Sequence, residues 1–334
     1  ALRKFQQAAV FQVAVADLSG VLPLMKVSDR LTDIAELVLQ KTISLARGEM
    51  TRRYGRPMCQ DDSHLRPASF AVVGYGKLGG LELSYSSDLD LVLLHDSAGE
   101  MQQCDGDKKL DNARYFSRLG QRVLHILSTT TSGGVLYEVD TRLRPSGKGG
   151  SLVSSLSAFA TYQRESAWTW EHQALLRARA VAGDEVVCHS FEKTRREILT
   201  APRDAATLKN DVLSMRNRMR RDLPGGARGQ FDIKRDPGGL TDIEFLVQYW
   251  VLAHAIARPG LVKWSDNIRQ LETLAKTGIV DPATSEELIE IYRQYRQRVH
   301  RLALADTAAV VSDEEFLQQR ERVSGLWSAV FEPA

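Results

Sequence analysis

The chain has 334 residues, 43% of them hydrophobic and 26% charged, enough to bury a core and divide into two or three domains, which excludes a disordered or fibrous protein. Forty-four Lys and Arg against forty-two Asp and Glu leave a net charge of +2; this is too balanced for a main partner that is bulk nucleic acid, so any anion site must be local. Apolar runs such as Leu91-Val92-Leu93-Leu94 fall far short of the roughly 20 residues that cross a bilayer, and Cys59, Cys104 and Cys188 form no C-x-x-C pair, so the expectation is a soluble protein of the reducing cytoplasm with no membrane partner. The chain opens at Ala1 without Met and no signal-like segment follows, which reads as a fragment of something longer.

From Ala1 to Leu18, the residues Leu2, Phe5, Ala9, Phe11, Val13 and Val15 predict a helix that Gly20 closes. A second helix, capped by Ser28 or Asp29, carries Leu31, Ile34, Leu37, Leu39 and Ile43 and runs to about Arg53. Charges and prolines from Arg53 to Pro67 read as a loop. Phe70 to Val73 and Leu89 to Leu94 then read as buried strands of one sheet, separated by the glycine-dense Gly74 to Gly80. Lys109 to Ser128 returns to helical spacing, and Ser132-Gly133-Gly134 introduces a third strand, Val135 to Asp140. Beyond Asp184 nearly every segment has helical period, from Glu185 to Leu199 through Ser285 to Ala305 and Asp313 to Phe331. The expected domains are N-terminal helices over 1–66, an α/β domain over 67–200 and an all-α bundle over 201–334.

The segment Gly74-Tyr75-Gly76-Lys77-Leu78-Gly79-Gly80 is followed, after seven intervening residues, by Asp88-Leu89-Asp90. Carboxylates two apart on a strand share a face, roughly 6.5–7 Å apart at the backbone. Two such anions repel, and a hard cation such as Mg²⁺ with oxygen ligands replaces that repulsion. The glycines let backbone N–H groups approach a phosphate. A lone D-x-D is also a common solvated strand end, and a glycine cluster is commonly a plain turn. The combination, with Leu89, Leu91 and Val92 interleaved, sets the acids in a cleft.

In Val135 to Gly147, alternation places Leu136, Glu138 and Asp140 on one face. If this strand adjoins the first acids, Asp140, or less favourably Glu138, completes a two-metal site, with Arg142, Arg144 and Lys148 neutralising a polyphosphate. The alternative is an ordinary strand edge where Asp140 pairs with Arg142 or Arg144.

These blocks resemble the nucleotidyltransferase superfamily. More narrowly, Gly74 to Leu83 with Tyr85-Ser86-Ser87-Asp88-Leu89-Asp90-Leu91, and Tyr137-Glu138-Val139-Asp140 through Arg142-Leu143-Arg144-Pro145-Ser146-Gly147, resemble the bacterial glutamine synthetase adenylyltransferase family. So do Ala167-Trp168-Thr169-Trp170-Glu171-His172-Gln173-Ala174-Leu175 with Arg177-Ala178-Arg179, and Phe231-Asp232-Ile233-Lys234 with Gly238 to Phe245. The resemblance implies an α/β nucleotidyltransferase core with a small mixed sheet, preceded by N-terminal helices and followed by an all-α helical bundle. It implies the half of a bifunctional enzyme that attaches AMP: ATP gives AMP to a tyrosine of glutamine synthetase and releases pyrophosphate, so regulating nitrogen assimilation. By the same resemblance Asp88, Asp90 and Asp140 hold two Mg²⁺ ions and Gly76, Lys77, Gly79, Gly80, Ser87, Arg142 and Arg144 contact ATP. The terminal phosphates are met by Ser87 or Lys77, and Asp140 helps to deprotonate the attacking hydroxyl. The PII signal protein and an N-terminal deadenylylating domain are further implied partners, with no nucleic acid. Related chemistry on another acceptor, such as uridylyl transfer to PII, and a non-catalytic nucleotide-binding regulatory module are the alternatives.

The remaining motifs have plainer readings. Thr241-Asp242-Ile243-Glu244 has capping-box spacing. Trp168, Trp170 and His172 read as packing, and His95-Asp96 as a strand-end pair. Arg177 and Arg179 suit either a phosphate-facing strand or a solvated edge. The basic run Arg216 to Arg221 and the segment Tyr292 to His300 read as solvated helix faces.

Overall fold

A computed structural model of the chain describes residues 1–61, 64–223 and 225–332. Its first half contains α1 (Leu2–Leu18), α2 (Leu24–Tyr54), β1 (Pro57–Asp61), β2 (His64–Pro67), β3 (Phe70–Gly74), α3 (Gly76–Gly79), β4 (Leu89–His95), β5 (Glu100–Cys104), α4 (Asn112–Ser128), β6 (Val139–Asp140), β7 (Val153–Ser155) and α5 (Leu156–Glu165). Then follow α6 (Thr169–Leu176), β8 (Arg179–Gly183), α7 (Glu185–Leu199), α8 (Ala205–Asp222), β9 (Gln230–Asp232), α9 (Leu240–His254), α10 (Asn267–Lys276), α11 (Pro282–Leu304), β10 (Val310–Ser312) and α12 (Leu317–Phe331). Two compact units result, one of Ala1–Leu83, Ser87–Ala167 and Arg177–Ile198, the other of Ser84–Ser86, Trp168–Leu176 and Leu199–Ala334.

The first unit is built on a mixed sheet in the order β6-β4-β3-β8, with β7 pairing the far end of β4. β3 is antiparallel to β4 and β8, whereas β6 and β7 run parallel to β4. Every residue of β3 is buried, as its continuous apolar run requires. Over the sheet lies α4, which buries Tyr115, Phe116, Leu119, Val123 and Leu127 on one stripe, and Asp111 caps it by accepting from the Arg114 N–H at 2.9 Å. Long α2 packs against α4 and β8.

Three expectations need correction here. Arg53 to Pro67 is not simply a loop: β1 and β2 pair antiparallel, and β1 also pairs with β5. The prolines sit at strand ends, where a missing N–H costs little. The second helix starts at Leu24 with Pro23 as its N-cap, and Ser28 lies buried inside it beside the fully buried Val27, because the apolar stripe extends back a full turn. The third strand shrinks to Val139–Asp140, since the N–H groups of Leu136 and Tyr137 instead donate to the Leu127 carbonyl at the end of α4.

The second unit is mostly helical, but β9 and β10 pair antiparallel within it, so it is not all-α. The expected capping box is also absent. Gly239 is the N-cap of α9, Thr241 Oγ1 donates to the Lys234 carbonyl at 2.6 Å, and Asp242 is fully buried. Arg216 Nε donates to Asp242 Oδ1 at 2.6 Å and Arg220 Nη2 to Oδ2 at 2.9 Å. The basic run is therefore a solvated face only in part: Arg218 and Arg221 are exposed, but Arg216 is drawn inside by a carboxylate that needs a partner. Tyr292, Tyr295, Arg296 and His300 are buried as well; Asn267 Nδ2 donates to the Tyr292 hydroxyl at 2.8 Å, and Tyr295 Oη donates to the Gly238 carbonyl at 3.0 Å. Trp168, expected to pack, is 70% exposed just before α6, where its N–H donates to the Glu171 carboxylate at 2.9 Å. Among the described residues no helix is long and apolar enough to cross a membrane.

Candidate active site

The site grows from one sheet edge. β4 follows β3 after the glycine segment, and the Tyr75 N–H donates to the Asp90 carbonyl at 2.9 Å, tying the start of the turn to the strand that carries the acids. Gly76 has φ +54°, and a Cβ there would stand 2.4 Å from Asp90 Oδ2. Glycine is needed twice over, for the left-handed backbone and for the room the carboxylate occupies. Gly79 and Gly80 are buried; a Cβ on Gly79 would meet the Arg177 carbonyl at 2.1 Å.

On the other edge of β4, the parallel strand β6 places Asp140 opposite Asp90 and Val139 opposite Leu89. Adjacent strands lie about 4.8 Å apart, and Asp88, two residues before Asp90, points to the same face. The three carboxylates each offer an oxygen, and these lie within 4.8 Å of one another. Asp88 is exposed, whereas Asp90 and Asp140 are half-buried. Glu138, the alternative third acid, is exposed.

Burial pushes the Asp90 carboxyl up to about 6, and the charges of Asp88 and Asp140 push the same way against Lys77 and Arg142. Asp140 is held below the usual carboxylate range by its hydrogen bond to Arg142, whose Nε donates to Oδ2 at 2.6 Å and whose N–H donates to Oδ1 at 2.8 Å. A carboxylate so held is a weak proton acceptor, which favours Asp140 as a charged ligand over a base. A set of carboxylate oxygens, one of them raised by burial and by its charged neighbours, fits a hard divalent cation such as Mg²⁺.

Among the expected ATP contacts, Lys77 lies on α3 with Nζ 3.5 Å from Ser87 Oγ. Arg144 turns onto its own loop: Nη1 donates to the Thr141 carbonyl and Oγ1 at 2.9 Å each, and Nη2 to the Lys148 carbonyl at 3.3 Å. Lys148 is exposed. Arg177 and Arg179 are ion-paired, with Glu82 and Glu36 respectively. Sequence reasoning missed Glu82, which is only 2% exposed; its signal was an acid set between Leu81 and Leu83.

Residues 1–194 match the family model described as Glutamate-ammonia ligase adenylyltransferase. The chain belongs to that family. Residues 207–321 match a second model, GlnD PII-uridylyltransferase. A bifunctional glutamine synthetase adenylyltransferase/adenylyl-removing enzyme from Thioalkalivibrio sulfidiphilus (strain HL-EbGR7) is 54% identical over 331 residues, covering 99% of this chain and 34% of that protein. This member of the adenylyltransferase family thus spans about a third of the length of the curated relative it matches.

Proposed function

We propose that this chain transfers AMP from ATP to a tyrosine hydroxyl of glutamine synthetase and releases pyrophosphate. The observation that carries the reading is the convergence of Asp88, Asp90 and Asp140 beside a glycine turn, in a chain of the adenylyltransferase family. The relative's name supports the acceptor, and the resemblance to the attaching half favours AMP addition over removal.

Asp88, Asp90 and Asp140 would hold two Mg²⁺ ions. When bound, the metal neutralises charge on the phosphoryl oxygens and on the departing pyrophosphate. Lys77, whose charge already acts on Asp90, would meet the β- and γ-phosphates with Ser87, and the exposed Arg142 would add a cation at the rim. The Gly76 turn brings main chain against Asp90, and the triphosphate would lie along that turn, whose backbone the buried Gly79 and Gly80 shape. The electrophile is the α-phosphorus, so the β- and γ-phosphates are held as a leaving group, unlike in a kinase.

Incubation with glutamine synthetase, Mg²⁺ and ATP labelled at the α or the γ position tests this. Label is expected on glutamine synthetase from α-labelled ATP alone; label from the γ position, or none from either, overturns it. A second reading, UMP transfer to the PII protein, is favoured by the uridylyltransferase match over 207–321. That stretch holds none of the three acids, and α-labelled UTP with PII as acceptor separates the two.

A further inference from the structure

In the first unit, the C-terminal part of α2 and the outer face of α4 enclose a groove of about 550 Å³ lined by Arg53, Tyr54, Arg118, Arg122 and His125, with Glu49 as its one acid. Arg114, Arg118 and Arg122 stand four residues apart on α4, a row with a step of about 6 Å. Like charges so placed repel. The outer two have carboxylate partners, Arg114 in Asp111 at 3.3 Å and Arg122 in Glu49 at 2.7 and 2.9 Å.

Arg118 has no carboxylate partner among the described residues; its Nη1 donates to the Tyr54 hydroxyl at 2.5 Å. Nor does Arg53, yet both guanidinium groups lie over the Tyr54 ring, 5.2 and 5.3 Å from its centroid. The ring is buried, 6% exposed, so it is a fixed platform that holds two cations in place before any ligand arrives. The groove's single acid is already paired, which leaves it positive and set for an anion.

Spacing decides which anion. A single phosphate spans one step of the row. Alternate side chains of an extended peptide are about 6.5–7 Å apart, close to the 6 Å step of the arginines. We infer that this groove docks an extended acidic segment of a partner protein, with its Asp or Glu side chains set against Arg118 and Arg53, and with Arg122, held by Glu49, extending the positive row beside them. The inference goes beyond adenylyl transfer and does not depend on it.

The test uses the 334-residue chain and a fluorescein-labelled peptide of alternating Glu and Ala, read by fluorescence anisotropy. The double variant Arg53→Glu/Arg118→Glu is expected to bind about tenfold or more weakly. Arg218→Glu, an exposed control in the second unit, should bind within about twofold of the parent. Raising salt from about 50 to about 200 mM should weaken the parent and leave little to lose in the double variant. Unchanged binding by the double variant overturns the inference, as does an equal loss in the control. Displacement by pyrophosphate as effective as by unlabelled peptide, or tighter binding of an oligothymidylate, overturns it too. Both arginines are exposed, and matching melting temperatures confirm that the variants fold.

Discussion

At the edge of the first unit's sheet three carboxylates share one close guanidinium, whereas in the core of the second unit one carboxylate is shared by two. Asp242 accepts from Arg216, Arg220 and the Gly238 N–H, the last at 2.8 Å, and it is 0% exposed. Every lone pair that burial takes from water has a replacement, which is how a deep charge is tolerated. At the sheet edge the excess of negative charge is left standing, and burial together with that charge raises Asp90 to about 6. A satisfied acid builds structure; a crowded, unsatisfied one is held in readiness for something it will bind.

The largest effect that would break this contrast is on chemistry. Asp90→Asn should reduce AMP transfer by about a thousandfold or more while the fold survives. Because burial raises the folded Asp90 carboxyl to about 6 from 3.8, its ionisation costs stability, which is lost from about pH 3.8 upward and fully lost above about 6. In metal-free buffer at neutral pH the variant should therefore be as stable as the parent or more so, by up to about 3 kcal/mol. Turnover assays and urea unfolding measure both; a variant that loses stability and keeps activity would reverse the assignment.

Asp242→Asn should do the opposite, costing about 3–5 kcal/mol by leaving two guanidinium groups inside with a neutral amide. Urea denaturation reads it, and a cost under about 1 kcal/mol would mean that the pair is not the anchor described. A third buried group sharpens the comparison from the neutral side. His95 stacks on Phe116 with centroids 4.4 Å apart, its Nδ1 accepts from the Ser97 N–H at 3.1 Å, and burial pushes it down to about 4. The unfolded chain takes up this proton near 6.5 and the folded one does not. Stability should then be level above about pH 6.5 and fall by about 3 kcal/mol as the pH drops towards 4. Unfolding at both ends of that window in the parent and in His95→Phe checks it, since the variant should lose most of the slope.

Much of the acid cluster was legible because its signals are local. Period-two spacing fixes that Asp88 and Asp90 share a face, and glycines just upstream mark the turn. The resemblance rested on the same stretches. What brings Asp140 to them is a strand pairing across about fifty residues, which local pattern cannot supply, although the third acid was named as a candidate. The same limit hid the Arg216 and Asp242 pair. From the sequence, Arg216 lies in a charge run and Asp242 inside a capping box; only the packing of α8 on α9 turns these two residues into core. Pro57 and Pro67 made β1 and β2 look like loop, since proline at a strand's end and proline in a turn read alike. Arg142 and Arg144 are two apart with like surroundings, yet one reaches Asp140 and the other folds back on Thr141, a choice made by loop geometry.

At Gly76 only a hydrogen atom stands between the main chain and the oxygen of Asp90. A tight tolerance at the site therefore belongs to a residue with no side chain to donate, accept or ionise. A survey that swapped polar groups one at a time would pass over it, while a single methyl placed there would act as a plug, disabling the pocket with every acid still present.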